Sequence, residues 1–202
     1  MLYVLNPTTV STIGGSLSVD LLRGQAVVLV SVSGDRATLA PGHAEASLLR
    51  AHGVRKPPRY RAEAAQLAAD FLSAPAWEKA RRDGVRRLRE RWPDLTDDAA
   101  GKIFLGEPFV GMTEEQAEEA VGRLVLSREP APGDEGSSVW KVGRRPRSSE
   151  LRLYNEARER GAPSRTFEEF LSSRTRAILK VSGGVVVAID PPEGQASGLN
   201  WP

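Results

Sequence analysis

The segment Gly111-Met112-Thr113-Glu114-Glu115-Gln116-Ala117-Glu118-Glu119-Ala120-Val121-Gly122 constrains the fold more than any other, because it specifies a helix together with both of its ends. Thr113 is placed to cap the first turn, and Gln116, three residues on, completes a capping box. Met112 before the cap and Ala117 after it are spaced for a hydrophobic staple. Glu114 and Glu115 put negative charge where the helix dipole favours it. Ala117, Ala120, Val121 and Leu124 recur on one face, and Gly122 predicts a left-handed stop. The apolar run Leu124-Val125-Leu126 then reads as a strand. A helix this short must lay its apolar face on a neighbouring element, here a sheet.

Strand signals dominate the first forty residues. Leu2 to Leu5, Leu17 to Leu22, Ala26 to Ser33 and Arg36 to Ala40 are the candidates, with Thr8 to Gly15 polar and loop-like. Ala26-Val27-Val28-Leu29-Val30 is continuous and largely β-branched, which predicts a strand buried on both faces. Gly34-Asp35 is a hairpin turn. The pattern then changes to helix. Ala44 to His52 points Leu48 and Leu49 inward. From Arg59 the stripe Tyr60, Ala64, Leu67, Ala68, Phe71 and Leu72 has helical period. After Pro75 a further helix carries Trp77, Ala80, Val85, Leu88 and Trp92 on one side and arginines on the other; Gly84 near that stripe predicts close approach of another backbone. Thr96 caps a helix bearing Ile103 and Phe104, with Gly106 as its stop. Further on come a strand at 138–142, helices opened by Ser148 or Ser149 and by Thr166 with Glu169, and a hairpin from Arg176 to Asp190 turning at Ser182-Gly183 or Gly183-Gly184. Tryptophans 77, 92 and 140 are expected in the core. The whole is α+β: a small N-terminal β region, central helices, and a C-terminal pair of helices with an antiparallel meander.

Several chemistries are excluded by residue type. The 202 residues include no cysteine, so disulfides and thiolate catalysis are ruled out. Net charge is +2, with basic and acidic blocks set apart: residues 94–119 carry a net −7, while 77–92 and 140–160 carry +4 each. No run approaches the about 18 apolar residues of a membrane span. Met1 to Pro7 has neither a basic leader nor a long apolar core, which predicts a cytoplasmic protein, or one carried in a virion. His43 and His52 are the only histidines, and neither has a second His at helical spacing. Gly106 to Gly111 has the glycine spacing of a phosphate loop without its Lys and Ser/Thr. Asp97-Asp98 and Glu118-Glu119 read as solvated faces. No catalytic residue, cofactor or metal site is therefore expected.

With these residues in view, the region from Trp77 to Asp190 resembles the BamE-like (SmpA/OmlA) domain. The matching pieces are Trp92-Pro93-Asp94, Gly101-Lys102-Ile103, Gly111-Met112-Thr113-Glu114-Glu115-Gln116, Val121-Gly122, Val139-Trp140-Lys141-Val142 and Ala177-Ile178-Leu179-Lys180-Val181. The resemblance implies two helices, a meander of about three strands and a non-catalytic interaction role, with the motif residues mainly structural. Family members acting in outer-membrane β-barrel assembly carry a signal peptide and a lipidated cysteine; this chain has no cysteine, and residues 143–175 form an insertion. The expected organisation is a small β region at 1–42, SH3-like or a hairpin sheet, a helical linker region at 43–76, the BamE-like domain at 77–190, and an extended tail at 191–202.

The expected function is a non-enzymatic protein-binding or assembly scaffold whose partner is another protein or a second copy. Partner-binding candidates are Arg144, Arg145 and Arg147 in a basic loop, and Leu199 and Trp201 in the tail. The alternative is a nucleic-acid-binding accessory protein using the arginine-rich helix 77–92 and loop 143–147. A third reading is a hydrolase whose acid pair forms only on folding.

Overall fold

The computed structural model describes residues 1–14, 18–51, 53–134, 136–143, 148–160 and 175–192. The chain is α+β and divides into two compact units, Met1–Leu105 and a second from Gly106 onward. The boundaries expected at 42/43 and 76/77 both fall inside the first unit.

In the first unit, β1 (Leu2–Val4), β2 (Thr8–Thr12), β3 (Ser18–Leu21), β4 (Ala26–Ser33), β5 (Arg36–Pro41), β6 (Tyr60–Glu63) and β7 (Phe71–Ser73) form one antiparallel sheet, ordered β3-β2-β6-β5-β4-β1-β7. Its helices are α1 (His43–Ala51), α2 (Ala64–Asp70), α3 (Ala74–Arg91) and α4 (Asp97–Leu105). Leu21 of β3 and Phe71 of β7 stand at opposite ends of the sheet yet share one core with Val4, Val27, Leu39 and Tyr60. The sheet must therefore curl on itself to bury them together.

Several elements depart from those expected. Thr8–Thr12, expected as loop, is a strand because Val10 enters the core and both edges find partners, β3 and β6. The helix expected from Arg59 is only α2. Tyr60–Glu63 and Phe71–Ser73 are strands flanking it, since Tyr60 and Ala62 alternate inward against β5 while Phe71 faces Val4 on β1. The region 43–76 is thus no linker but supplies two strands of the sheet. On α1 it is Ala46 that is buried, while Leu48 stands exposed. Val28 to Val32 of β4 lie in solvent rather than between two layers.

On α3, Trp77 stacks on Tyr3 with ring centroids 5.8 Å apart, and Phe104 of α4 packs against it at 5.7 Å. Gly84 does receive a close neighbour, but it is the Phe104 ring, not a backbone. Trp92, expected in the core, is partly exposed with the Arg91 guanidinium 4.4 Å from its ring. The α4 cap is formed as expected, Ala99 N donating to Thr96 Oγ1 at 3.2 Å. Arg23 ties the far end of α4 to the sheet: its Nη1 donates to the Phe104 carbonyl and its Nε to that of Leu5, both at 2.8 Å.

In the second unit, α5 (Glu114–Val121) leads through one 3-10 turn (Gly122–Leu124) into β8 (Val125–Pro130), followed by β9 (Ser137–Gly143), α6 (Ser148–Glu159), β10 (Thr175–Ser182) and β11 (Val185–Asp190). The four strands form an antiparallel sheet ordered β11-β10-β9-β8. Both bonds of the capping box are made: Gln116 N donates to Thr113 Oγ1 at 3.2 Å, and Thr113 N to Gln116 Oε1 at 2.9 Å. Gly122 does not take the left-handed conformation; at φ −54° it continues into the 3-10 turn, which ends the helix instead. The cap segment is itself zipped onto β11, with Gly111 N donating to Val186 O at 2.8 Å and Val186 N to Met112 O at 2.9 Å. Met112, Ala117, Val121, Trp140, Leu179 and Val186 are fully buried there. The β10–β11 turn is Gly183-Gly184 with both φ positive, at 56° and 75°, as the favoured two-residue hairpin requires.

Candidate interaction surface

Strand β4 is the longest strand of the first sheet joined by a neighbour over only part of one side. β5 pairs with it from Val27↔Pro41 to Ser33↔Arg36, with a bulge at Val30. On the other side β1 pairs only with Ala26 and Val27. From Val28 to Ser33 no strand among the described residues occupies that edge, so its outward backbone groups face water. Val28, Leu29, Val30 and Val32 are 38–55% exposed. The expectation of a strand buried on both faces fails from Val28 onward, where every residue of β4 is exposed.

In the second sheet the edges are partly guarded. The first residues of β11 are met on their outer edge by Gly111–Glu114, and β8 presents Arg128 and Glu129 before ending in Pro130. Charge and proline are the usual means of keeping an edge from pairing with another chain. β4 has neither: from Gly24 to Gly34 the sequence has no charged residue, and the Val30 bulge is its one irregularity.

A second candidate runs along α3, where Glu78, Arg81, Arg82, Arg86, Arg89 and Asp97 line an open groove of about 520 Å³. Its cations are partly spoken for. Arg89 pairs with Asp97 at 2.8 Å, and Arg86 with Asp83 at 2.9 Å and Glu90 at 3.8 Å. Arg81 and Arg82 make no ion pair among the described residues. A groove with both signs of charge offers a phosphate backbone less than a purely basic one.

Among the described residues, Glu45 on α1 is an ionisable group held in a partly buried setting. Tyr60 Oη donates to its Oε1 at 3.4 Å, while Oε2 is buried without a hydrogen-bond partner among the described residues. Burial pushes the Glu45 carboxyl above its ordinary value, opposed by hydrogen bonds from Gln25 and Tyr60. Burial, reinforced by Glu45, holds the Tyr60 hydroxyl protonated far above its ordinary range. The acids read as solvated faces are exposed and meet cations: Asp97 meets Arg89, Asp98 meets Lys102 and Glu118 meets Arg128. No group of three His, Cys, Asp or Glu among the described residues could hold a metal ion. His43 opens α1 and is exposed.

Arg144, Arg145, Arg147, Leu199 and Trp201, and also His52 and the Thr166–Glu169 capping box, lie outside the described residues. The arginines of α3 were legible in the sequence; the β4 edge and the Glu45–Tyr60 contact were not. The alternation Val30-Ser31-Val32-Ser33 was the available sign that the end of β4 is half solvated. No helix among the described residues is long and apolar enough to cross a membrane. Comparison with protein-family models, curated proteins and solved structures gave no match.

Proposed function

We propose that the chain is a non-catalytic interaction or assembly module, with a BamE-like domain in its C-terminal half, and that its partner surface is centred on β4. The observation that carries this reading is the uncharged run Val28-Leu29-Val30-Ser31-Val32-Ser33, apolar at four of six positions and open along one backbone edge. An open edge binds an extended partner by main-chain hydrogen bonds, with side chains on alternate faces setting specificity. The domain assignment draws its support from the Thr113-capped helix zipped onto β11 and from Trp140 buried in the strand between β8 and β10.

The test is affinity capture by the full chain, comparing the natural sequence with Val30→Lys and Val32→Lys. Both sites are exposed, so the urea midpoints should match. A protein captured by the natural chain and lost in both variants supports the reading; identical capture by all three overturns it.

A second reading, binding of nucleic acid through α3, draws on Arg81, Arg82, Arg86 and Arg89 lining one groove. Its test is a salt titration with duplex DNA and single-stranded RNA. Release of counterions by about three to four phosphate contacts would give a log–log slope near −3; a flat response removes the reading.

A further inference from the structure

We infer that the occupant of the β4 edge is the β4 edge of a second copy, paired antiparallel across a two-fold axis. The inference rests on the interaction reading above and commits it to self-association.

The complement of this edge must be an extended strand with its own unsatisfied backbone edge, apolar side chains on both faces and no charge to bury. Among the described strands β4 itself meets all three requirements: Val28–Ser33 are unpaired on one side, Val28, Leu29, Val30 and Val32 are exposed, and no charge occurs between Arg23 and Asp35. A two-fold arrangement makes the contact isologous and consumes both open edges, so assembly closes at two rather than running on into a fibre. Antiparallel pairing also places the Gly34-Asp35 tips of the two hairpins at opposite ends, so the Asp35 carboxylates never face each other. In the second unit, by contrast, the start of β11 is covered by the Thr113 cap segment and β8 carries Arg128, Glu129 and Pro130. Six residues per copy make an interface well below the about 800 Å² per partner of a stable complex, so the dimer is weak and concentration-dependent. The Val30 bulge, by twisting the strand, limits it further.

The experiment is sedimentation equilibrium of the full chain across a concentration range, with two variants. The natural chain should dimerise in the range of about 10 µM to 1 mM. Val32→Lys, at a side chain 55% exposed, should weaken the dimer at least about tenfold by placing a charge in the paired edge, with the urea midpoint unchanged. Because the chain has no cysteine, Ser31→Cys gives one thiol per copy; mild oxidation should produce a covalent dimer and no higher species. A chain that stays monomeric at about 1 mM overturns the inference. So does a dimer that Val32→Lys leaves intact and Ser31→Cys does not cross-link, since the copies then meet elsewhere. In the monomeric case, loss of a captured heterologous protein in Val32→Lys leaves the interaction reading standing with another protein's strand as the occupant. Unchanged capture removes both.

Discussion

Gly84 of α3 and Phe104 of α4 pack so closely that a Cβ on Gly84 would lie 2.3 Å from Phe104 Cδ2. This single missing methyl lets the two helices meet and lets Phe104 reach the Trp77 ring. Gly84→Ala should therefore destabilise, although alanine is the better helix former by about 1 kcal/mol. Displacing Phe104 from a packed position should cost about 1–3 kcal/mol. A fall in urea midpoint with unchanged m-value checks it; a rise would show that the ring moves freely.

Thr113 holds the cap by which α5 meets β11. Thr113→Ala removes the oxygen that accepts from Gln116 N and should cost about 1 kcal/mol. Thr113→Ser keeps that oxygen and should cost a few tenths of a kcal/mol. Urea titrations of the two variants side by side decide, and equal losses would mean that the threonine methyl, not the cap bond, matters.

The Arg128 guanidinium carbon lies over Trp140, 4.1 Å from the ring centroid, and the side chain pairs with Glu118. Arg128→Lys keeps the charge but loses the guanidinium over the ring. It should cost about 0.5–1 kcal/mol, with little dependence on salt. A loss that vanishes at high salt would assign the effect to Glu118 instead.

Glu45 gives a pH dependence of unusual sign for a carboxylate. Burial raises its folded value above the ordinary 4.5, so the folded state binds the proton more tightly than the unfolded chain. Its contribution is fully present below about 4.5 and is lost as pH rises through the raised folded value. Glu129 behaves oppositely: hydrogen bonds from Lys141 and Ser127 hold it below its ordinary value, so its contribution is lost as pH falls. Glu45→Gln removes only the first effect. The variant's urea midpoint relative to the natural chain should therefore climb between pH 4 and pH 8. A constant difference across that range would show that Glu45 does not change charge with folding.

Legibility in the sequence followed the range of the interactions. The caps at Thr96 and Thr113, the Gly183-Gly184 turn and the apolar side of α3 depend on residues within one or two turns of each other, and the folded chain repeats them. The candidate surface was much less legible. The run Ala26 to Val30 has the composition of a buried strand, yet from Val28 it is exposed, because face burial depends on what distant segments pack over the sheet and its open edge on how far β1 extends. Nor does anything local to Glu45 mark it, since Gln25 and Tyr60 reach it only once the sheet has curled.

The sequence by itself determined where the helices capped by Thr96 and Thr113 begin, where the Gly183-Gly184 hairpin turns, and that the chain is α+β without cysteine chemistry, because these follow from backbone preferences and nearby side chains. Tertiary structure alone decided that Tyr60–Glu63 and Phe71–Ser73 are strands, that Phe104 fills the space at Gly84, and that β4 outruns its neighbour. Each depends on pairing between segments far apart in the chain, where burial gained across the sheet outweighs local helical period.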